Sequence, residues 1–542
     1  MSYFEIGVPI LVLFLIIGLF IFVPKMEEIK HPAWKLLFLL PGLVAIIYHF
    51  EIRIAPCFAG LYAASVIVTL GFFFETVKVR RTFCMAAGVA MLGTIAMLWL
   101  QIGLPCTPYA KEFRECFATM KTYYCLTDEK QIDWDRLYET YAPRFQKAER
   151  EKDAVQNYIA WYEFTSEFHD AHTYYTTDTK TQEKAYNLMF GNDYGVSLMN
   201  LADGSVVAVN VEAGLGELTN GTRILSWDGK SIDEVQQGIT YSVMAFPDKE
   251  NEAFYDALLV AGVGGDSVTI TYEAADGSEK EMTLKKRGPY YEGRLKKTLE
   301  IIDQGVDIAH LGWKECGNNT VLLRIKAMMY DTESYESRNH ESMKTQLRKQ
   351  LIQYKEQGHK NLIIDLRNNS GGSPDMIAAI MELLAPEGEH ILAYDGVLDE
   401  KDGTFVRNED GYVRGEAFTY RGEDLWQDRN IYILVNQECV SAGDWFAQEM
   451  DKYDNVTILG FTKSNGSGQG IHMLRTDEAA LSFSAVVALN EDGRQKIDAG
   501  VDRIARTSID ETIAFDDKAV DALFNLGEDY VLEYCLDYIE KK

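Results

Sequence analysis

The stretch Asn361-Leu-Ile-Ile-Asp-Leu-Arg-Asn-Asn-Ser-Gly-Gly-Ser-Pro374 constrains the fold more than any other part of the chain. Leu362, Ile363, Ile364 and Leu366 form a short apolar run of the kind that makes a core strand, and Ser373 with Pro374 is a strong N-cap and first residue for a helix over Met376 to Leu384. Between strand and helix, Gly371 and Gly372 leave backbone N–H groups bare, so the turn can hold an anion or developing negative charge. A structural strand–helix turn is the simpler alternative.

Asp365-Leu-Arg-Asn-Asn-Ser-Gly-Gly372 resembles the Asp-Leu-Arg-x-Asn-x-Gly-Gly signature of the carboxyl-terminal processing peptidases, also called tail-specific serine proteases. The resemblance extends over roughly residues 150 to 525 and implies that this turn supplies part of an oxyanion hole. It also implies a nucleophile after a second buried strand. Ile431-Tyr-Ile-Leu-Val-Asn-Gln-Glu-Cys-Val-Ser-Ala-Gly-Asp-Trp-Phe446 puts Ser441 at the start of a helix whose apolar face includes Phe446, Met450 and Tyr453. From the residues alone, Ser441-Ala-Gly-Asp444 is equally a capping box. The resemblance assigns Ser441 as nucleophile and gives the backbone N–H of Ala442 to the oxyanion hole beside Gly371 or Gly372.

A serine nucleophile needs a base. Many tail-specific proteases carry a Lys in a Gly-x-x-Thr-x-Gly-Lys-Gly run, but here Gly460-Phe-Thr-Lys-Ser-Asn-Gly-Ser-Gly468 puts Gly466 at the lysine position and Lys463 where the Thr belongs. Lys463 is therefore the alternative base. Phe168-His-Asp-Ala-His-Thr-Tyr174 instead resembles the Asp-x-His-Thr motif of the tricorn-like branch of the family, which makes His172 the preferred base, with His169 as its near competitor. An imidazole titrates near 6.5 when unperturbed, which suits this role. Asp498-Ala-Gly-Val-Asp-Arg-Ile504 resembles a late acidic segment of the family, so Asp498 or Asp502 is a candidate for orienting a site residue; either is equally a turn acid.

Four apolar stretches, Ile6–Val23, Trp34–Phe50, Pro56–Phe74 and Phe83–Ile102, each approach the roughly 20 residues that cross a bilayer. Met1-Ser-Tyr-Phe-Glu5 lacks the positive start of a cleaved signal peptide. Lys25, Lys30 and Lys35 in the first connection and Lys78, Arg80 and Arg81 in the third place those connections inside. The expectation is a multi-pass plasma-membrane protein with its catalytic part extracellular. Residues 1–105 hold seven Lys/Arg and five Asp/Glu, so of the net charge of −29 the remainder carries −31. So acidic a surface disfavours nucleic acid as a partner. Among eight Cys no metal-type CxxC spacing occurs, and Cys116 and Cys125 are the nearest pair outside the apolar stretches.

The fold class expected is multidomain: a four-helix transmembrane region (1–105), a helical segment carrying His172 (106–187), a β-rich domain (188–288), an α/β peptidase core (289–525) and a helical tail (526–542). Trp161, Thr165, Phe168 and His172 would share one face if the helix runs that far. Short strands at Val206–Val211, Thr222–Asp228, Ser267–Glu273 and Glu281–Lys286 mark the β-rich part, whereas residues 390–428 read as an exposed excursion. Gly195-Val-Ser-Leu-Met199 and Thr222 to Val235 resemble the PDZ domain of these proteases, which implies that Gly195, Val196, Ser197 and Leu198 bind a peptide end. Together the residues and the resemblance imply a membrane-anchored serine endopeptidase acting on protein or peptide substrates, with no metal or organic cofactor. The rival is a catalytically inactive, membrane-anchored peptide-binding receptor or scaffold.

Overall fold

The computed structural model describes residues 12, 14–17, 19–21, 36–37, 39–40, 59–70, 73 and 76–103, and from residue 109 onward all except 245, 247–248, 331–340, 410, 477–478, 497, 500–503 and 506. The chain divides into two compact units, Met1–Pro108 and Tyr109–Lys542.

In the first unit, α1 (Ala59–Leu70) and α2 (Val77–Gly103) pack together. Among the described residues no helix is long and apolar enough to cross a membrane. The 12 residues of α1 rise about 18 Å, short of the roughly 30 Å of hydrocarbon. The longer α2 opens on Lys78, Arg80 and Arg81 and carries Gln101 near its end. This finding overturns the reading of four transmembrane helices and the multi-pass plasma-membrane location with an extracellular catalytic part, and leaves the bilayer as partner without support. The stretches 6–23 and 34–50 lie mostly outside the described residues.

The second unit begins with three helices, α3 (Tyr109–Tyr123), α4 (Trp134–Glu151) and α5 (Ala154–Ser166). Asp133 and Asp153 cap α4 and α5 by accepting from backbone N–H groups of their first turns. Phe113, Phe117, Phe145, Trp161 and Phe164 interlock as an aromatic core. Because α5 stops at Ser166, His172 lies beyond it in a turn rather than on the helical face expected for it. Strand β1 (Tyr174–Thr176) and helix α6 (Thr179–Met189) follow. Cys116 and Cys125 are both buried.

The β-rich part contains the pair β2 (Ser197–Asn200) and β3 (Val206–Val209), then an antiparallel sheet of β4 (Ile224–Trp227), β5 (Ser267–Glu273) and β6 (Glu279–Lys285), with α7 (Lys249–Val260) before β5 and α8 (Lys296–Ile302) after β6. Its core is continuous with that of the three helices.

The remainder is built on a six-stranded sheet. Its strands in chain order are β7 (Gly312–Gly317), β8 (Thr320–Arg324), then, after helix α9 (Glu341–Glu356), β9 (Asn361–Asp365); helix α10 (Pro374–Leu384) and the antiparallel pair β10 (Gly388–Gly396) and β11 (Arg414–Gly422) separate these from β12 (Asn430–Leu434). Helix α11 (Ala442–Met450) leads to β13 (Val456–Gly460), and β14 (Gly470–Arg475) pairs with β15 (Ala480–Val486) before β16 (Glu511–Thr512) closes the edge. The spatial order is β16-β13-β12-β9-β8-β7, parallel throughout except for β7. Both faces are buried, as a parallel sheet requires. Val321, Leu323, Leu362, Ile364, Ile431 and Ile433 face α9, α10 and α11, while the alternate residues Leu322, Ile363, Tyr432 and Leu434 face Val531, Leu532, Cys535 and Ile539 of the tail helix α12 (Tyr530–Lys541). Residues 390–428 are not a loose excursion: Leu392, Ala393 and Tyr420 of β10 and β11 join the core beside α10.

The tail is tied to the centre of the sheet by charge. Asp365, fully buried at the end of β9, accepts from Arg367 at 2.9 and 3.0 Å and pairs with Arg324 at 3.2 Å, and Arg367 reaches on to Asp529, the N-cap of α12, at 2.6 and 2.8 Å. Burial alone would raise the Asp365 carboxyl, but Arg367 and Arg324 outweigh it and hold the group below the usual carboxylate range.

Candidate active site

Two turns leave the C-terminal ends of neighbouring parallel strands. After β9 the chain turns through Asn368 (φ 57°), Gly371 (φ 81°) and Gly372 (φ 147°) into α10, which Ser373 caps through the Asp375 N–H. Asn369, fully buried, organises this turn. Its Oδ1 accepts the Gly371 N–H at 2.9 Å, its Nδ2 donates to the Ile325 carbonyl at 2.9 Å, and its own carbonyl takes the Val440 N–H at 3.0 Å. Met328 clamps the other side by donating to the Gly371 carbonyl and accepting from the Ser373 N–H. A Cβ on Gly372 would lie 2.1 Å from the Met328 carbonyl oxygen, so only glycine fits. The Gly372 N–H donates to no acceptor among the described residues.

After β12 the chain turns at Ser441, which holds φ 59° and ψ −127° without being glycine and makes no side-chain cap to α11. Strain of this kind persists where surrounding contacts impose it. Here the Ser441 N–H donates to the Gly466 carbonyl at 2.7 Å. Asp444, the other half of the capping box, is fully buried and accepts from Ser464 Oγ at 2.6 Å and the Thr507 N–H at 3.1 Å. The capping-box alternative therefore does not describe this helix start. The two turns touch: a Cβ on Gly371 would stand 2.5 Å from Ser441 Cβ and 3.0 Å from its Oγ. Ala442 opens α11, where first-turn N–H groups have no helical acceptor.

The loop that holds Ser441 also holds the His172 turn. Ser467 Oγ accepts the Ala171 N–H at 2.9 Å, one residue along from the Gly466 carbonyl. Within the turn, fully buried Asp170 accepts the His172 backbone N–H at 3.0 Å and the Thr173 hydroxyl at 2.9 Å. The His172 Nδ1 is buried with no hydrogen-bond partner among the described residues, and no hydrogen bond joins the ring to Ser441. Burial depresses the His172 pKa below its ordinary value, with Asp170 and the Gln469 backbone opposing the shift. Its competitor is occupied elsewhere: His169 Nδ1 contacts the Phe246 carbonyl at 2.9 Å.

The other expected residues do not converge here. Lys463 pairs with Glu250 at 2.6 Å beside a cavity of about 280 Å³ lined by Phe254, Phe461 and Phe515. Asp498 lies in a short strand, Asp498–Ala499, paired with Ile504–Ala505, and Asp502 lies outside the described residues. Gly195, Val196, Ser197 and Leu198 are all buried. The Gly195 N–H is taken by Asp193 Oδ1 at 2.7 Å, and Asp193 is held in turn by Arg294 at 2.9 Å. Ser197 Oγ bonds Thr298 and Tyr290. Among the described residues no cluster of His, Cys, Asp and Glu is set to hold a metal ion.

The roles of Asn369, Asp170 and Asp444 were not assigned from sequence. Asn369 and Asp444 take partners, Ile325 and Thr507, that the tertiary fold brings in, whereas Asp170 holds His172 and Thr173 within its own turn.

Residues 319–503 match the model of Peptidase family S41, and residues 107–156 match the tricorn protease C1 domain. The chain is 24% identical over 238 residues to a probable CtpA-like serine protease of Staphylococcus epidermidis, covering 43% of this chain and 41% of that protein. It is 26% identical over 205 residues to a carboxyl-terminal-processing protease of Synechocystis sp., covering 35% of this chain and 41% of that one. It thus spans about two fifths of the length of the curated relatives it matches. Among solved structures, that of mature CPAF complexed with lactacystin superposes with a TM-score of 0.51 at 14% identity, over 80% of this chain and 98% of the other, a likeness of fold. Residues 319–503, the part of the chain that matches the Peptidase family S41 model, contain both turns and Ser441.

Proposed function

We propose that the chain is a serine endopeptidase of the carboxyl-terminal processing type, with Ser441 as nucleophile and His172 as general base. The observation that carries this reading is the meeting of two strained turns, where an uncapped serine at positive φ lies against a glycine that tolerates no Cβ. His172 takes the Ser441 hydroxyl proton as Oγ attacks a peptide carbonyl carbon, and the carbonyl electrons move onto oxygen. The Gly372 and Ala442 N–H groups stabilise that oxyanion, since the Gly371 N–H is already committed to Asn369. Collapse expels the amine, which receives the proton from His172, and water then hydrolyses the acyl-enzyme by the same sequence in reverse roles. The reading requires the His172 ring to form its hydrogen bond with Ser441 when substrate binds, since catalytic hydrogen bonds commonly tighten only in the complex. Asp170 fixes the turn that presents it.

The PDZ-like resemblance makes the β-rich part a site for peptide ends, opened by displacement of Asp193 from Gly195. The rival reading, a peptide-binding scaffold without turnover, is favoured by the absence of a His172–Ser441 hydrogen bond in the unliganded fold. Covalent labelling by a serine-directed fluorophosphonate separates the two. Labelling of the full chain that disappears in Ser441→Ala, with peptide turnover lost by on the order of 10⁶-fold, supports the peptidase. Peptide binding with neither labelling nor turnover supports the scaffold.

A further inference from the structure

Asp303 follows α8, is 7% exposed, and meets no cation among the described residues. The Tyr255 hydroxyl of α7 donates to its Oδ1 at 2.7 Å, and Asn436 Nδ2 stands 3.5 Å from the same oxygen. The Asp303 backbone carbonyl accepts from Asn368 Nδ2 and, at 3.4 Å, from Asn436 Nδ2. The two asparagines then lock to each other. Asn436 Nδ2 donates to Asn368 Oδ1 at 2.7 Å, and the Asn368 backbone N–H donates to Asn436 Oδ1 at 2.9 Å. Asn368 is the left-handed residue that starts the glycine turn, so an unbroken polar chain runs from α7 and α8 into the turn. It belongs to neither the buried Asp365 ion network nor the Asn369 contacts, which reach the turn separately.

A carboxylate so enclosed and without a positive partner is costly, whereas the neutral acid is not. The titratable groups that face it are Tyr255 from α7 and Glu438 from the segment after β12; the glycine turn contributes only Asn368. Burial, reinforced by the charge of Glu438, pushes the Asp303 carboxyl up to about 8 against the hydrogen bonds of Tyr255 and Asn436.

We propose that Asp303 is a positioning residue for the Gly371–Gly372 turn, acting through Asn368 and Asn436, and that only its protonated form holds the turn in shape. The inference rests on the peptidase reading, since the turn matters as an anion holder only there. Above the transition the buried charge pulls Asp303 towards water and its carbonyl away from Asn368, so the turn loosens. Asp303→Asn mimics the neutral acid and removes the titration.

The test pairs two measurements on the full chain. In the first, amide exchange of peptides covering 366–372 is compared at pH 6.5 and pH 9. Equal rates at pH 6.5, with wild type faster than Asp303→Asn by about threefold or more at pH 9, support the proposal; equal rates at both pH values overturn it. In the second, kcat/KM for a peptide substrate falls in wild type by about tenfold per pH unit above pH 8 and stays level in Asp303→Asn. The same alkaline fall in both proteins overturns the proposal. Tyr255→Phe removes a donor to the ionised form, so it moves the wild-type transition to higher pH, and an unmoved transition counts against Asp303 as the titrating group. If wild type hydrolyses no peptide at all, the peptidase reading fails while the exchange comparison still decides the role of Asp303.

Discussion

The turn at Gly371–Gly372 and the loop at Gly195 both look from sequence like cradles for a negative oxygen, but the fold treats them oppositely. At the first, Asn369 takes the Gly371 N–H and leaves that of Gly372 without a protein acceptor, beside Ser441. At the second, the carboxylate of Asp193 already sits on the Gly195 N–H, the position the proposed function gives to the end of a peptide, and Arg294 holds it there. A glycine loop becomes a binding site only if the chain does not supply its own anion. On the proposed reading the first turn is open to a developing anion, and the second would need a competitor to displace Asp193.

The readiness of the first turn is broken most severely through the base. His172→Ala lowers kcat/KM by on the order of 10² to 10⁴-fold and slows fluorophosphonate labelling of Ser441 with it. The pH profile gives the sign. A base works unprotonated, and burial holds the His172 pKa below its usual 6.5, so activity is full at neutral pH and is lost as pH falls through that depressed value. An acid limb at or above 6.5 would show that another group titrates.

Gly371→Ala tests whether contact between the turns is required. The new Cβ would press on Ser441 Cβ at 2.5 Å and would force an L-residue to φ 81°. Turnover should fall by about 10² to 10³-fold, the size of losing one oxyanion donor, with the folded baseline in near-UV circular dichroism retained. Undiminished turnover would mean that this contact between the turns is not required for the reaction.

The second loop responds more gently. Asp193→Ala frees the Gly195 N–H and leaves Arg294 with Glu212 at 3.2 Å. Breaking this buried pair costs about 3–5 kcal/mol, read as a lower Tm. Affinity for peptides with a free terminal carboxylate, measured by fluorescence anisotropy, should rise by about tenfold relative to amidated peptides. If both peptide forms gain equally, the loop does not read the carboxylate.

What the sequence reveals follows the same division. The apolar run 362–364 and its neighbours at 431–434 are legible because a strand buried on both faces must be continuously apolar, and both appear as adjacent parallel strands. The glycine turn is legible because the positive φ of Gly371 and Gly372 is a local backbone requirement, whereas the neighbours their missing Cβ atoms clear, Ser441 and Met328, are set by the fold. Asn369 and Asp303 are not, since their partners come from Ile325, Tyr255 and Asn436, far away along the chain. Hydrophobicity misled in residues 56–102: its apolar windows suggested spans, whereas no helix among the described residues is long and apolar enough to cross a membrane. Composition also misled at 390–428, where charged side chains mark the outer face of a strand pair whose inner face is core.

The smallest effect is expected at Lys463, and it decides between the two bases. Its ammonium pairs with Glu250, and the side chains remain 30% and 68% exposed, so water screens the pair. Such pairs contribute between about 0 and 1 kcal/mol, and Lys463→Ala should shift Tm little. Turnover should stay within about threefold of wild type, because the Lys463 side chain is engaged by Glu250 rather than by Ser441. Measured beside His172→Ala under the same conditions, the substitution gives a direct reading. If Lys463→Ala abolishes peptide hydrolysis and His172→Ala does not, the lysine leaves Glu250 during the reaction to serve Ser441, and the imidazole is only part of the wall that encloses it.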